Sequence, residues 1–137
     1  FNKFSDVKNY IDNAIIKARE KKYVETLLGR RRYLRDIDSR NFTLRSFSER
    51  NAINSPIQGS AADIIKLSMI EISKWIKQNE LNSKMIMQVH DELVFDVCKN
   101  ELEYCQSNIK KIMENVVKMR VPLTVDLGVG NTWLEAH

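Results

Sequence analysis

His90-Asp91-Glu92 lies between two short apolar-rich runs, Lys84 to Val89 and Leu93 to Val97. The pattern predicts a β-hairpin with the tripeptide at its tip. Tight hairpin loops favour Asn-Gly, Asp-Gly or Gly-X, because positive φ is needed there. This tip has no glycine. It has adjacent carboxylates instead, which repel each other and gain little from packing, with Gln88 before them and Asp96 after. A local departure of this kind marks a candidate functional site. A hard divalent cation such as Mg²⁺ takes carboxylate oxygens from a rigid element and keeps positions open for water and phosphate. Asp91 and Glu92 are candidate ligands on that ground. The other reading is a solvated turn, and the tripeptide alone does not choose between them.

Arg50, Asn54 and Gln58 form a second constellation, each four residues after the last. A continuous helix would line them along one face. Pro56 works against that continuity, although the groups could still converge across a kink. All three side chains donate hydrogen bonds to phosphate, sugar or base edges. Minor-groove acceptors occupy nearly the same place in every base pair, so donors aimed at them test duplex shape without reading sequence. Ser55-Pro56-Ile57-Gln58 reads equally as a helix start, with Ser55 as cap, Pro56 at the first position and Gln58 closing a capping box. Other chemistries fail on count. The only histidines are His90 and His137. With Cys98 and Cys105 they make no convincing zinc set, which needs about four ligands at suitable spacing. There is no Gly-x-Ser-x-Gly elbow and no Gly-rich phosphate loop.

Charge is concentrated. The chain has 22 Lys and Arg against 18 Asp and Glu, a net of +4. Arg19 to Arg50 holds ten of the basic and five of the acidic residues, a local net of +5, so the rest sums to −1. The centre of the excess is Arg30-Arg31-Arg32, followed by Arg35. A local cluster suits contact with a phosphate backbone, and a solvated basic loop is the alternative. With 43% hydrophobic and 29% charged residues, the chain can form a core and is not globally disordered. Its 137 residues make one domain or a piece of something larger. No apolar run approaches membrane-spanning length and no leader pattern opens the chain, so the expectation is a soluble protein with no membrane partner. Phe1 is not an initiator Met, and the apolar pattern starts at once, as in a chain cut from a longer one. Cys98 and Cys105 read as reduced thiols.

These groups need elements to position them. Apolar residues at helical spacing predict a helix from about Lys3 to Lys22, with Ser5-Asp6 as an early cap and Phe4, Val7, Ile11, Ala14, Ile15 and Ala18 on its apolar face. Tyr23 to Leu28 reads as an extended piece that stops at Gly29 and leads into the arginines. A helix from about Asn41 to Asn54 follows, carrying Leu44, Phe47 and Ile53. Another runs from Ser55 to about Gln78, with Ile57, Ala61, Ile64, Ile65, Ser68, Ile72, Trp75 and Ile76 on one face, and Asn79 as its stop. After the hairpin comes an amphipathic helix from Asn100 to Lys118, with Leu102, Cys105, Ile109, Ile112, Met113 and Val116 inward. Leu123 to Val129 reads as a final strand, with Trp133 packing back on the core. The fold class is α+β, with long helices packed on a small antiparallel sheet.

Several segments resemble the family A DNA polymerases, the bacterial DNA polymerase I-like enzymes. The stretch Glu49-Arg50-Asn51-Ala52-Ile53-Asn54-Ser55-Pro56-Ile57-Gln58-Gly59-Ser60-Ala61-Ala62-Asp63-Ile64-Ile65-Lys66 is similar to the segment that follows the fingers in that family. Gln88-Val89-His90-Asp91-Glu92-Leu93-Val94-Phe95 resembles its motif C. Tyr23-Val24-Glu25-Thr26-Leu27-Leu28-Gly29-Arg30-Arg31-Arg32-Tyr33 and Gly128-Val129-Gly130-Asn131-Thr132-Trp133 are also similar, in the same order, and the ending places His137 at or near a natural C-terminus.

The resemblance implies a part of a DNA-directed DNA polymerase, with residues 1–55 on the fingers side and 56–137 forming a palm portion with the catalytic hairpin. It implies nucleotidyl transfer from deoxynucleoside triphosphates to a primer 3′ end on primer–template DNA, by a two-metal Mg²⁺ mechanism. By carry-over, Asp91 is a catalytic metal ligand and Glu92 a nearby carboxylate with a lesser role. His90, with Gln88 beside it, approaches the primer terminus. Arg50, Asn54 and Gln58 contact the minor-groove side of the primer–template end, and Arg30, Arg31 and Arg32 support the nucleic-acid backbone or the local fold. A cytoplasmic, nucleoid-associated location follows from the same likeness. The family's other metal-ligating Asp, in a segment of the type Asp-Tyr-Ser-Gln-Ile-Glu, is absent, as is the fingers helix that grips the triphosphate. The chain alone is therefore expected not to polymerise DNA. The missing strand is expected to leave an unpaired sheet edge and an exposed apolar face, favouring self-association. The competing class is a non-catalytic, basic DNA-binding module whose acidic tip is incidental.

Overall fold

The computed structural model describes residues 4–137. Phe1, Asn2 and the expected helix start at Lys3 lie outside the described residues. The chain divides into two compact units, Phe1–Asp63 and Ile64–His137. The class is α+β, but the strands form two separate two-stranded antiparallel sheets rather than one.

In the first unit, α1 spans Ser5–Lys21. Its N-cap is Phe4, with no side-chain cap bond, so Ser5 is the first helical residue and not the cap. Lys22 ends the helix in the left-handed region, its N–H donating to the Ala18 carbonyl. β1 (Tyr23–Glu25) and β2 (Arg31–Tyr33) then pair as a hairpin, with Tyr23 opposite Tyr33. The arginine cluster is therefore mostly strand. Gly29 turns the chain with φ 81°, a conformation that suits glycine. Ala18, Leu34, Ile37 and Ala52 form the buried core, with Val24 packed against it.

One helix, α2, runs from Phe42 to Gln78 with Pro56 inside it. Asn41 caps it, its Oδ1 accepting from the Thr43 N–H at 2.9 Å. Two helices with a boundary at Ser55 are thus replaced by one. Pro56 removes one N–H, so the Ala52 carbonyl loses its helical donor, but the chain does not break there. The inward face also differs from the apolar pattern. Ser48 and Ala52 are buried while Leu44 and Phe47 are exposed, and Ile57 is 59% exposed.

In the second unit, the later part of α2 buries Ile65, Ser68 and Ile72. It ends at Gln78 as the sequence predicts. The Asn79 side chain donates to the Trp75 carbonyl at 2.8 Å, and Glu80 turns away at φ 51°. β3 (Lys84–Val89) and β4 (Glu92–Asp96) form the hairpin. A bulge at Ile86 breaks the register between Met85 and Met87. A 3₁₀ turn, Lys99–Glu101, precedes α3, Leu102–Asn115. Ile72, Cys105 and Ile109 make the core, with Leu93, Phe95 and Met113 against it.

Glu101 ties the sheet to α3. Its carboxylate accepts from the Ser83 hydroxyl at 2.5 Å and from the Asn82 and Ser83 N–H groups at 3.0 Å. The Ser83 hydroxyl bond, and then the backbone bonds, hold its pKa below the usual carboxylate value. The stabilisation is complete above the ordinary Glu range and is lost as pH falls through the lowered folded value.

Two expectations fail near the end. No strand forms over residues 123–129, because no described segment pairs with it. Trp133 does not pack on the core. It opens a short helix, α4 (Trp133–Ala136), and stays 50% exposed.

Both cysteines are free, as expected. Cys105 is buried, and that burial pushes its thiol pKa up, leaving less thiolate. Iodoacetamide at mildly alkaline pH should therefore modify Cys98 at least about tenfold faster than Cys105. Mass mapping of the alkylated peptides checks this.

Candidate functional site

The hairpin tip is tighter than the sequence suggests. Val89 pairs with Glu92, so only His90 and Asp91 lie in the loop. Glu92 is the first residue of β4, not part of the turn. His90 takes the first loop position with φ 52°. A type II′ turn places Gly there, and an L residue in this region costs about 1–2 kcal/mol. The absent glycine is thus borne by His90. The Gln88 side-chain amide donates to the His90 carbonyl at 3.1 Å and braces the turn. Asp91 is exposed and makes no hydrogen bond or ion pair among the described residues. Glu92 is half-buried, and its Oε1 lies 3.3 Å from Nδ1 of His137. Asp96 is not part of the tip. It pairs with Lys84 at the far end of the hairpin, about 15 Å along the strand at ordinary strand rise.

The fit to a cation follows from this donor set. Asp91 offers uncommitted hard oxygens on a short turn, and Glu92 adds a carboxylate beside it. No cluster of three or more His, Cys, Asp or Glu able to hold a metal forms among the described residues. The tip can contribute ligands to a Mg²⁺ site but cannot complete one.

Continuity of α2 settles the second constellation. Arg50, Asn54 and Gln58 lie along one helical face, spread over about 12 Å at helical rise. All three are exposed. None makes a side-chain hydrogen bond or ion pair among the described residues, so their donors are free for a ligand. The capping-box role of Gln58 does not occur, because the helix begins at Phe42.

The three arginines separate. Arg30 is spent on the fold. Its Nε donates to Oδ1 of buried Asp63 at 2.9 Å, and its Nη2 donates to the Gly59 carbonyl at 3.2 Å. The Thr26 hydroxyl donates to Asp63 Oδ2 at 2.5 Å, and the Leu27 N–H donates to the Ser60 hydroxyl at 2.7 Å. Together these clamp the β1–β2 hairpin to α2. Gly59 permits the close approach, since a Cβ there would stand 2.6 Å from the Thr26 methyl. Arg31 pairs with Glu25 at 2.8 Å and lies over the Tyr23 ring. Arg32 is exposed, with no ion pair among the described residues. A cleft of about 110 Å³ joins these arginines to Ser55 and Gln58.

Sequence reasoning missed Asp63, Thr26 and His137. A lone Asp inside the apolar Ala61-Ala62-Asp63-Ile64-Ile65 run was a usable signal for a buried acid. Nothing local marks His137 as a neighbour of Glu92, 45 residues earlier in the sequence.

The sequence profile of DNA polymerase family A matches residues 1–135. The chain belongs to that family. Similar proteins include DNA polymerase I of Streptococcus pneumoniae serotype 4, 51% identical over 136 residues, and that of Geobacillus stearothermophilus, also 51% identical over 136 residues. Each alignment covers 99% of this chain but 16% of the relative. DNA polymerase I of Bacillus subtilis is 45% identical over 133 residues, covering 97% of this chain and 15% of that protein. Among solved structures, the POL domain of Pol1 from M. smegmatis, in complex with DNA primer-template and dNTP, matches with a TM-score of 0.97 and 43% identity. That match covers 99% of this chain and 24% of the other. No described helix is long and apolar enough to cross a membrane.

Proposed function

We propose that this chain is part of a DNA-directed DNA polymerase that extends a primer 3′ end with deoxynucleotides on a DNA template. The observation that carries the proposal is the hairpin turn that leaves the Asp91 carboxylate exposed and uncommitted, in a chain that belongs to family A. Asp91 would hold Mg²⁺, with Glu92 as the lesser carboxylate. A Mg²⁺ ion held there would supply Lewis-acid chemistry, making the primer hydroxyl more acidic and offsetting charge on the transferred phosphate. His90, exposed at the turn, and Gln88 beside it would flank the primer terminus. Arg50, Asn54 and Gln58 would offer their free donors to the minor-groove acceptors of the terminal pairs. Arg32, and Arg31 beside Glu25, would face the nucleic-acid backbone, whereas Arg30 serves the local fold. Residues 1–55 would belong to the fingers side and 56–137 to the palm. The working location would be the cytoplasm, at the nucleoid.

Commitment of Arg30 and Arg31 to Asp63 and Glu25 reduces the phosphate-binding charge of the cluster. It thereby weakens the alternative of a non-catalytic basic DNA-binding module. Ile86 is 60% exposed beside exposed Met87, an apolar surface that favours self-association of the isolated chain.

Since the described residues cannot complete a metal site, the 137-residue chain alone should show no Mg²⁺-dependent primer extension, while a longer polymerase carrying it should. A radiolabelled-primer assay on both proteins tests this, and synthesis by the short chain would refute the reading of an incomplete site.

A further inference from the structure

Residues 128–137 form a closed turn for which the polymerase reading has no use. Thr132 caps α4, its hydroxyl accepting from the Glu135 N–H at 3.3 Å. The Glu135 carboxylate reaches back to accept from the Asn131 N–H at 2.8 Å. This is reciprocal closure of the capping-box kind. Two glycines let the incoming chain pass against that turn. A Cβ on Gly128 would collide with the Ala136 carbonyl oxygen, and one on Gly130 would stand 2.5 Å from the Glu135 Cβ. No other residue type fits at either position without moving backbone. The turn ends on an imidazole that leans towards the Trp133 ring, with centroids 6.1 Å apart, and puts Nδ1 3.3 Å from Glu92 Oε1. Neighbouring Asp91 has no such partner among the described residues.

The geometry points to His137 as a positioning residue that holds Glu92 in one direction, so that Asp91 meets the cation as the free ligand. The inference rests on the polymerase reading. Adjacent carboxylates repel, and an unrestrained Glu92 samples several rotamers around the same cation. A ring nitrogen 3.3 Å from one of its oxygens narrows those rotamers. Partners that orient a ligating carboxylate contribute about 10–100-fold in metal affinity, and solvent screening at this half-exposed pair places His137 at the low end.

The experiment uses the full-length polymerase with primer–template bound. Mn²⁺ binding is followed by electron paramagnetic resonance, and the Mg²⁺ dependence of primer extension is measured in parallel. His137→Ala should weaken Mn²⁺ binding and raise the half-saturating Mg²⁺ concentration by about 5–10-fold, with KM for primer–template unchanged. His137→Asn, which keeps an N–H donor near the place of Nδ1, should restore both to within about twofold. In a Glu92→Gln background, His137→Ala should add nothing. Unchanged metal dependence in His137→Ala, failure of His137→Asn to rescue, or an effect that persists in Glu92→Gln would each overturn the assignment. Loss of turnover in Asp91→Ala alongside a silent His137→Ala sinks this inference alone. Full turnover in Asp91→Ala sinks the reading beneath it, and this inference with it.

Discussion

Asp91→Ala in the full-length polymerase should lower the single-turnover rate of primer extension by about a thousandfold or more, while the Kd for primer–template stays within about twofold. The size follows from the role proposed for the carboxylate. Lewis-acid stabilisation of transferred phosphate is worth several kcal/mol, and each 1.36 kcal/mol is tenfold in rate. Asp91 is the exposed acid of a two-residue loop and has no other partner among the described residues, so its loss leaves the hairpin core intact. Affinity is spared because phosphate binding depends on basic groups, and removing a negative charge near a polyanion does not weaken it. Rapid-quench kinetics and fluorescence anisotropy separate the two effects. A basic binding module predicts the reverse pattern: synthesis survives the Asp91 change, and Arg-to-Ala changes flatten the salt dependence of binding. Retained turnover in Asp91→Ala would end the catalytic assignment.

Arg30→Ala should open the β1–β2 hairpin without touching the chemistry. Asp63 is 7% exposed, and Arg30 is its charged partner at 2.9 Å. Breaking a buried pair by removing one member costs about 3–5 kcal/mol, but the half-exposed Arg30 side chain lets water screen the remainder, so about 2 kcal/mol is expected. That corresponds to roughly a thirtyfold loss of hydrogen-exchange protection at the amides of Thr26, Gly29 and Leu34. Adding Asp63→Asn should recover part of the loss, because a buried neutral amide costs less than a buried carboxylate when the guanidinium is gone, and this non-additivity separates a charge effect from a packing effect. Equal protection in wild type and Arg30→Ala would show that the clamp contributes nothing.

Local signals carried well from sequence to structure. The end of α2 at Gln78, the hairpin around Asp91 and the inward row of Cys105 and Ile109 were legible, because each is written within a few turns of chain. Ser55-Pro56-Ile57-Gln58 misled because it satisfies every local rule for a helix start. Proline inside a helix costs about 3 kcal/mol, yet buried Ala52 on one side and the Leu27–Ser60 and Thr26–Asp63 hydrogen bonds on the other hold both halves in one helix. That correction put Arg50, Asn54 and Gln58 on a common face. Leu123 to Val129 has the composition of a strand, but a strand exists only with a neighbour, and none is present among the described residues. Arg30 looked like its neighbours in a charge run. Only the fold brings Asp63, 33 residues away, to its guanidinium.

The irregularity at Ile86 has a directional consequence. Two residues there oppose one on β4, which bends and over-twists the strand and spoils the even spacing of its outward N–H and C=O groups. A misaligned row of donors and acceptors is a poor template for an incoming chain. The regular β4 side is the better template. Growth of this ribbon into a wider sheet, by another part of a polymerase or by a second molecule, is therefore one-sided.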